Sequence, residues 1–231
     1  MKTRSTVIAL FILSLWLASP RPVSATLLII GGVIGASLVI LGLAACRNLR
    51  DTGGAPILDG KCPTGLAIKR LLLSLAVGAT CGAVILGILI YGIVPIEPAL
   101  AARLKARAAA AIWIPWALAA EASVLEEVGF RLFLLSGIVW LLRRVWRLPV
   151  SPLIAWSAIT VSALGFALAH LPAWLAVTEP TLLLVTTVLA LNGLAGLVLG
   201  KLYWEWGIEA AVVAHFAADL IVQSLGPHML A

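Results

Sequence analysis

From residue 26 to residue 225 the chain is a succession of apolar runs, most of them close to the length that crosses a lipid bilayer. A span needs about 20 apolar residues. In hydrocarbon, every backbone N–H and C=O must be satisfied within the segment itself. These two constraints predict an all-α, polytopic membrane helix bundle. Composition agrees, because only 11% of the residues are charged and 62% are hydrophobic, against about 25% charged in a soluble domain. Lys and Arg outnumber Asp and Glu by 16 to 10. The basic residues flank the apolar runs, where they fix orientation. They form no stripe interleaved with aromatics, so nucleic acid is not an expected partner. The expected setting is the cell membrane, with several passes through the lipid bilayer.

Residues 1–25 read as a signal peptide or a short N-terminal membrane helix. Lys2 and Arg4 precede a short apolar run, and Val23-Ser24-Ala25 would suit a signal peptidase. Residues 26–107 read as accessory membrane helices and a basic loop. The span at 26–45 has a small-residue face of Gly31, Gly32, Gly35 and Ser37. Leu43-Ala44-Ala45-Cys46 resembles a lipoprotein cleavage box, but it follows a second apolar run and reads as a helix end. A polar loop is expected at 47–70, a span at 71–94 and an interfacial segment at 97–107. Residues 108–231 read as the core. The run at 108–142 is too long for one upright span and is expected to be tilted or kinked, with Pro115 near its start. Spans follow at 152–171, at 181–200 with Gly196-x-x-x-Gly200 and a mid-span Asn192, and at 208–225. Short connections are expected at 172–180 and 201–207. With the N-terminus in the cytoplasm, the basic loops at 47–70 and 143–147 and Lys201 fall inside, whereas the basic patch at 103–107 falls outside. Cys46, Cys62 and Cys81 make no CxxC pair and no even set, so no disulfide framework or zinc cluster is expected.

Three of these helices carry residues that hydrocarbon penalises. The first holds Glu126-Glu127-Val128-Gly129-Phe130-Arg131. Glu127 and Arg131 are four apart, share a face and can pair. Glu126 lies about 100° around the helix and has no local partner, so it is a candidate base or ligand. The second holds Phe166-Ala167-Leu168-Ala169-His170, and the third His215-Phe216-Ala217-Ala218-Asp219. Asp219 is one turn from His215 and could orient its imidazole, or the pair could ligate a metal. Two of the chain's three histidines thus lie in spans beside buried carboxylates. A glutamate and two histidines form a water-activating set, with Glu as general base and His as partner base or oxyanion donor. This convergence requires the three helices to bundle.

The three motifs, in this order on separate helices, resemble the CPBP family of CAAX proteases and bacteriocin-processing (Abi) intramembrane proteases. That family carries EExxxR, FxxxH and HxxxN or HxxxD, and the likeness covers roughly residues 108–225. The resemblance implies that Glu126 activates water with help from His170, and that His215 and Asp219 stabilise the oxyanion or orient the substrate carbonyl. Glu127 and Arg131 would hold the first helix, with Glu127 supporting Glu126, and Phe166 would support the site. The implied function is endopeptidase cleavage of a membrane-associated protein or peptide. The alternative on the same scaffold is a non-catalytic immunity or partner-binding protein. A proton-coupled carrier fits less well, since the spans are few and no two-half repeat is present. There is no HExxH, which argues against a site-2-type zinc protease, and no cofactor is required in the favoured reading. If zinc or another divalent metal is bound, Glu126, His170, His215 and Asp219 are its candidate ligands. Two positions depart from relatives: Leu132 follows the motif arginine where many members have Gly, and Asp219 stands where eukaryotic prenyl-protein proteases have Asn. The second, together with a compact chain suggestive of a prokaryotic setting, points to a membrane-anchored peptide such as a bacteriocin leader or C-terminal sorting helix.

Overall fold

The computed structural model describes residues 40–42, 62–106, 108, 110–149, 151–176 and 179–230. The element expected at 1–25, most of the span at 26–45 and the loop at 47–61 lie outside them. Seven α-helices are described. Helix α1 (Thr64–Gly87) runs on into a π-helical turn, Ile88–Ile93, and is followed by the short α2 (Pro98–Lys105). Helix α3 (Trp113–Glu127) continues through a π-helical segment, Val128–Leu135, into α4 (Ser136–Arg144). Then come α5 (Pro152–Leu175), α6 (Leu182–Trp206) and α7 (Ile208–Leu230). Among the described residues all regular structure is helical. Thr64–Ile93, Pro152–Leu175, Leu182–Trp206 and Ile208–Leu230 are long and apolar enough to cross a membrane. The described residues form a helical membrane bundle, as the apolar runs predict.

Four details differ from the sequence expectation. Helix α1 starts at Thr64 rather than 71, because the extended backbone at Pro63 (ψ 137°) already ends the loop. Lys69 and Arg70 ride within it, as long basic side chains do near helix ends. The long helix does not depart from regularity at Pro115, which sits in the first turn of α3, where a missing N–H costs nothing. The irregularity is the π-helical segment after Glu127. Helix α5 passes through Pro172, and the Ala176 N–H donates to the Pro172 carbonyl at 3.1 Å to continue the turn. Finally, 201–206 is helical, with a Lys201–Glu205 ion pair of 2.7 Å one turn apart. The chain turns on Gly207 alone (φ 97°), a left-handed conformation that glycine adopts without a Cβ clash.

Glycines set how closely the helices approach. On α6, a Cβ at Gly196 would come within 2.9 Å of Ala163 and one at Gly200 within 2.9 Å of Ile159, so the expected GxxxG face is the α5–α6 contact. A second such face, Gly78-x-x-x-Gly82, packs α1 against α7. A Cβ at Gly78 would overlap the Ala214 main chain, and one at Gly82 would come within 2.5 Å of the Ala218 carbonyl oxygen. Each of these α7 residues is adjacent to a residue of the HxxxD motif. Gly78→Leu is expected to lower stability by about 1–3 kcal/mol or more, since the obstacle is backbone that cannot yield. Gly87→Leu on the same helix meets nothing within 4 Å and is the control. Thermal melts followed by tryptophan fluorescence in detergent would separate the two.

Candidate active site

The site is built around the junction of α3 and the π-helical segment. A π-helix hydrogen-bonds to i+5 and recurs at functional sites. Here side chains secure its widened turns. Ser162 Oγ, on α5, donates to the Phe130 carbonyl at 2.7 Å. Ser136 Oγ donates to the Arg131 carbonyl at 3.3 Å and stands 2.6 Å from the Tyr203 hydroxyl on α6. Val128, Leu132, Leu135 and Val139 fill the core beneath it with Ile159, Tyr203 and Ile208. Leu132, which follows the motif arginine, is only 2% exposed in that core.

Glu127 and Arg131 are both fully buried and form the ion pair that their spacing suggests, with Arg131 Nε 3.2 Å from Glu127 Oε2. Arg131 is held on two further sides. Its guanidinium lies 4.5 Å from the centre of the Phe166 ring, a cation–π contact of about 2 kcal/mol when desolvated. Its Nη2 donates to the Gly196 carbonyl at 3.4 Å. A small residue at 196 therefore serves two purposes, admitting α5 and leaving a carbonyl within reach of Arg131.

The second Glu127 oxygen does something the sequence did not reveal. His215 Nδ1–H donates to Glu127 Oε1 at 2.9 Å, across 88 residues of chain. Asp219 was the expected orienter of His215, but its Oδ1 is 3.7 Å from Nε2, on the other side of the ring. Glu127 therefore fixes the imidazole and turns Nε2 into the cavity. A tertiary contact of this kind leaves no trace in spacing along one helix.

His170 is oriented by its own helix. Its Nδ1–H donates to the Phe166 carbonyl at 2.8 Å. A carbonyl only accepts, so the neutral ring presents an unprotonated Nε2. Phe166 packs against both imidazoles, with ring centres 4.6 Å from His170 and 5.6 Å from His215. It also meets Phe130 edge-on at 5.4 Å. One buried ring thus spaces both histidines and the arginine.

Glu126 faces this assembly from α3. Its Oε2 is 3.6 Å from His170 Nε2 and 3.8 Å from His215 Nε2. Both distances exceed that of a direct hydrogen bond. The Glu126 side chain is 30% exposed, whereas Glu127 is 0% exposed, so adjacent carboxylates have opposite surroundings. Glu126, Phe166, His170, His215 and Asp219 all line one cavity of about 320 Å³. The structure thus brings together every residue singled out from the three motifs.

Sequence reasoning passed over Gln223, which also lines the cavity and donates from Nε2 to Asp219 Oδ2 at 3.1 Å. The signal was there, since Gln223 lies one turn beyond Asp219 on the same face. Asn192, noted only as mid-span, is another lining residue. A second, almost wholly apolar groove of about 460 Å³ lies between α1 and α6, and it shares Cys81, Ile85, Leu191, Ala195 and Val198 with the first. Among the described residues no group of three or more His, Cys, Asp and Glu is placed to hold a metal ion.

No curated protein and no solved structure matches the chain. The family model described as type II CAAX prenyl endopeptidase, Rce1-like, matches residues 108–221. The matched stretch contains all three motifs, with Glu126, Glu127, Arg131, Phe166, His170, His215 and Asp219, and ends two residues before Gln223. Through residues 108–221, just under half of its length, this chain is similar to the Rce1-like family of CAAX endopeptidases.

Proposed function

We propose that this chain is an intramembrane endopeptidase, a multi-pass protein of the cell membrane. It hydrolyses a peptide bond of a membrane-associated protein or peptide with a water activated by Glu126 and His170. The observation that carries this reading is one carboxylate oxygen standing between two oriented imidazoles, 3.6 and 3.8 Å away, in a cavity inside a membrane bundle. Gaps of that size suit a water held between the groups. Glu126 takes one proton from the water while His170 Nε2 accepts a hydrogen bond from the other O–H. The hydroxide adds to the substrate carbonyl carbon. In its imidazolium form His215 donates from Nε2 to the oxyanion, with Asp219 offsetting its charge and Glu127 holding the ring. Collapse of the intermediate breaks the C–N bond, and Glu126 returns its proton to the leaving amine.

In this mechanism no step needs a metal. The apolar groove between α1 and α6 supports a substrate that stays anchored in the bilayer and reaches the cavity from the side. We favour a membrane-anchored peptide, such as a leader or a C-terminal hydrophobic tail, over a prenylated one.

The test needs no prior substrate. Membranes from cells expressing the protein or its variants are compared by mass spectrometry for new peptide N-termini. The wild type is expected to generate termini that His170→Ala and His215→Ala do not, although both variants insert and melt cooperatively. Identical termini in all samples would leave a partner-binding membrane protein as the better reading. Activity surviving exhaustive chelation supports the metal-free mechanism. Loss that is restored by Zn²⁺ would reverse it.

A further inference from the structure

Past its HxxxD motif, α7 carries one more polar residue on the same face. His215, Asp219 and Gln223 are spaced four apart, and all three line the cavity. The contacts form a chain. Gln223 Nε2 donates to Asp219 Oδ2 at 3.1 Å, and Asp219 Oδ1 stands 3.7 Å from His215 Nε2. Beyond it, His215 Nδ1–H donates to Glu127 Oε1, and Glu127 pairs with Arg131. A carboxylate can only accept hydrogen bonds, so the Gln223 amide must present its NH₂ to Asp219, which fixes the amide orientation. Its oxygen is then buried and without a hydrogen-bond partner among the described residues. Leaving a buried acceptor unpaired is costly, so the amide is held by what its nitrogen does rather than by what its oxygen gains.

The need for such a donor follows from charge. Asp219 is an additional carboxylate in a cavity whose proposed base is Glu126. An unrestrained Asp219 could turn about χ1 and χ2 toward Glu126 or into the water position. Binding one oxygen to an amide on the next turn leaves the other facing His215.

We propose that Gln223 is a positioning residue, which holds the Asp219 carboxylate against His215 and away from the water-activating glutamate. This rests on the endopeptidase reading above. Gln223 acts through Asp219, so its contribution exists only while residue 219 is a carboxylate that needs holding.

The experiment is a double-mutant cycle between Gln223→Met, which keeps volume and removes the donor, and Asp219→Ala, with the purified full chain in lipid nanodiscs. The probe is a quenched fluorogenic peptide spanning the most abundant bond found in the membrane comparison. Gln223→Met is expected to lower kcat about tenfold with KM within twofold, to lower Tm, and to change neither kcat nor Tm further in the Asp219→Ala background. If the wild type cleaves and the two losses in kcat multiply, Gln223 acts independently of Asp219 and this proposal fails while the endopeptidase reading stands. If no bond is cleaved by the wild type, both fall. In that case persistent coupling in Tm would make Gln223 a structural brace of Asp219 only.

Discussion

Glu126→Gln is expected to lower peptide-bond cleavage by about 10²–10⁴-fold, the range that a positioned general base contributes. The substitution is nearly isosteric and leaves the cavity shape intact, but an amide does not take a proton from water. Stability should change little. Glu126 makes no direct hydrogen bond with its histidine neighbours, and it is the less buried of the two carboxylates. The measurement is the initial rate on a peptide carrying the cleaved bond, beside a tryptophan-fluorescence melt, for which the chain's nine tryptophans provide the signal. A rate within threefold of wild type would remove Glu126 from the chemistry and with it the proposed mechanism. A lost rate with an unchanged melting curve is the signature of a residue that acts on water and holds nothing else in place.

Arg131→Met should show the reverse balance, with a loss of about 3–5 kcal/mol in stability, as expected when one member of a buried ion pair is removed. Glu127 would be left at 0% exposure without its counter-charge, and the contacts to Phe166 and the Gly196 carbonyl would go as well. Pairing it with Glu127→Leu separates the two roles of Glu127. Removing both charges takes away the uncompensated carboxylate, so the double variant should recover much of the lost stability. It should remain inactive, because His215 Nδ1 has then lost its acceptor. Recovery of both stability and cleavage would show that His215 needs no orienting group. Chemical unfolding in mixed micelles gives the first quantity and the peptide assay the second.

This separation of roles marks how far the sequence could be read. The Glu127–Arg131 pair is local, because four residues along a helix determine which side chains meet. That Glu126 had no partner on its own helix was equally visible. The GxxxG face of α6 was readable by the same rule. The Gly78-x-x-x-Gly82 face of α1 obeys that rule too and was passed over, although its consequence is larger, since it seats α1 on the helix that carries His215. What spacing could not show was the identity of His215's orienter. Within α7 Asp219 is the only candidate, and Glu127 competes only once two helices are packed. The π-helical segment was also out of reach, because its carbonyls are secured by Ser162 on α5 and by Ser136 beside Tyr203 on α6. Pro172 misled for a related reason. A lone proline near a helix end reads as a stop, but α5 forfeits one hydrogen bond and continues.

Between Val128 and Leu135 the wider turns make the chain over-length for the distance it covers. Shortening that stretch by one residue would let it tighten to α geometry. Tightening would raise the rotation per residue to the roughly 100° of an α-helix while the deletion removes one residue's share, and the two changes do not cancel over this segment, so the two ends of the helix would twist against each other. The carboxylates at the front and Ser136 at the back could no longer both find their neighbours. A substitution here damages one contact, but a deletion would be a phase error carried along the whole helix. The number of residues between Glu127 and Ser136 is therefore a dimension of the active site in its own right, as binding on the chain as the identity of the carboxylates.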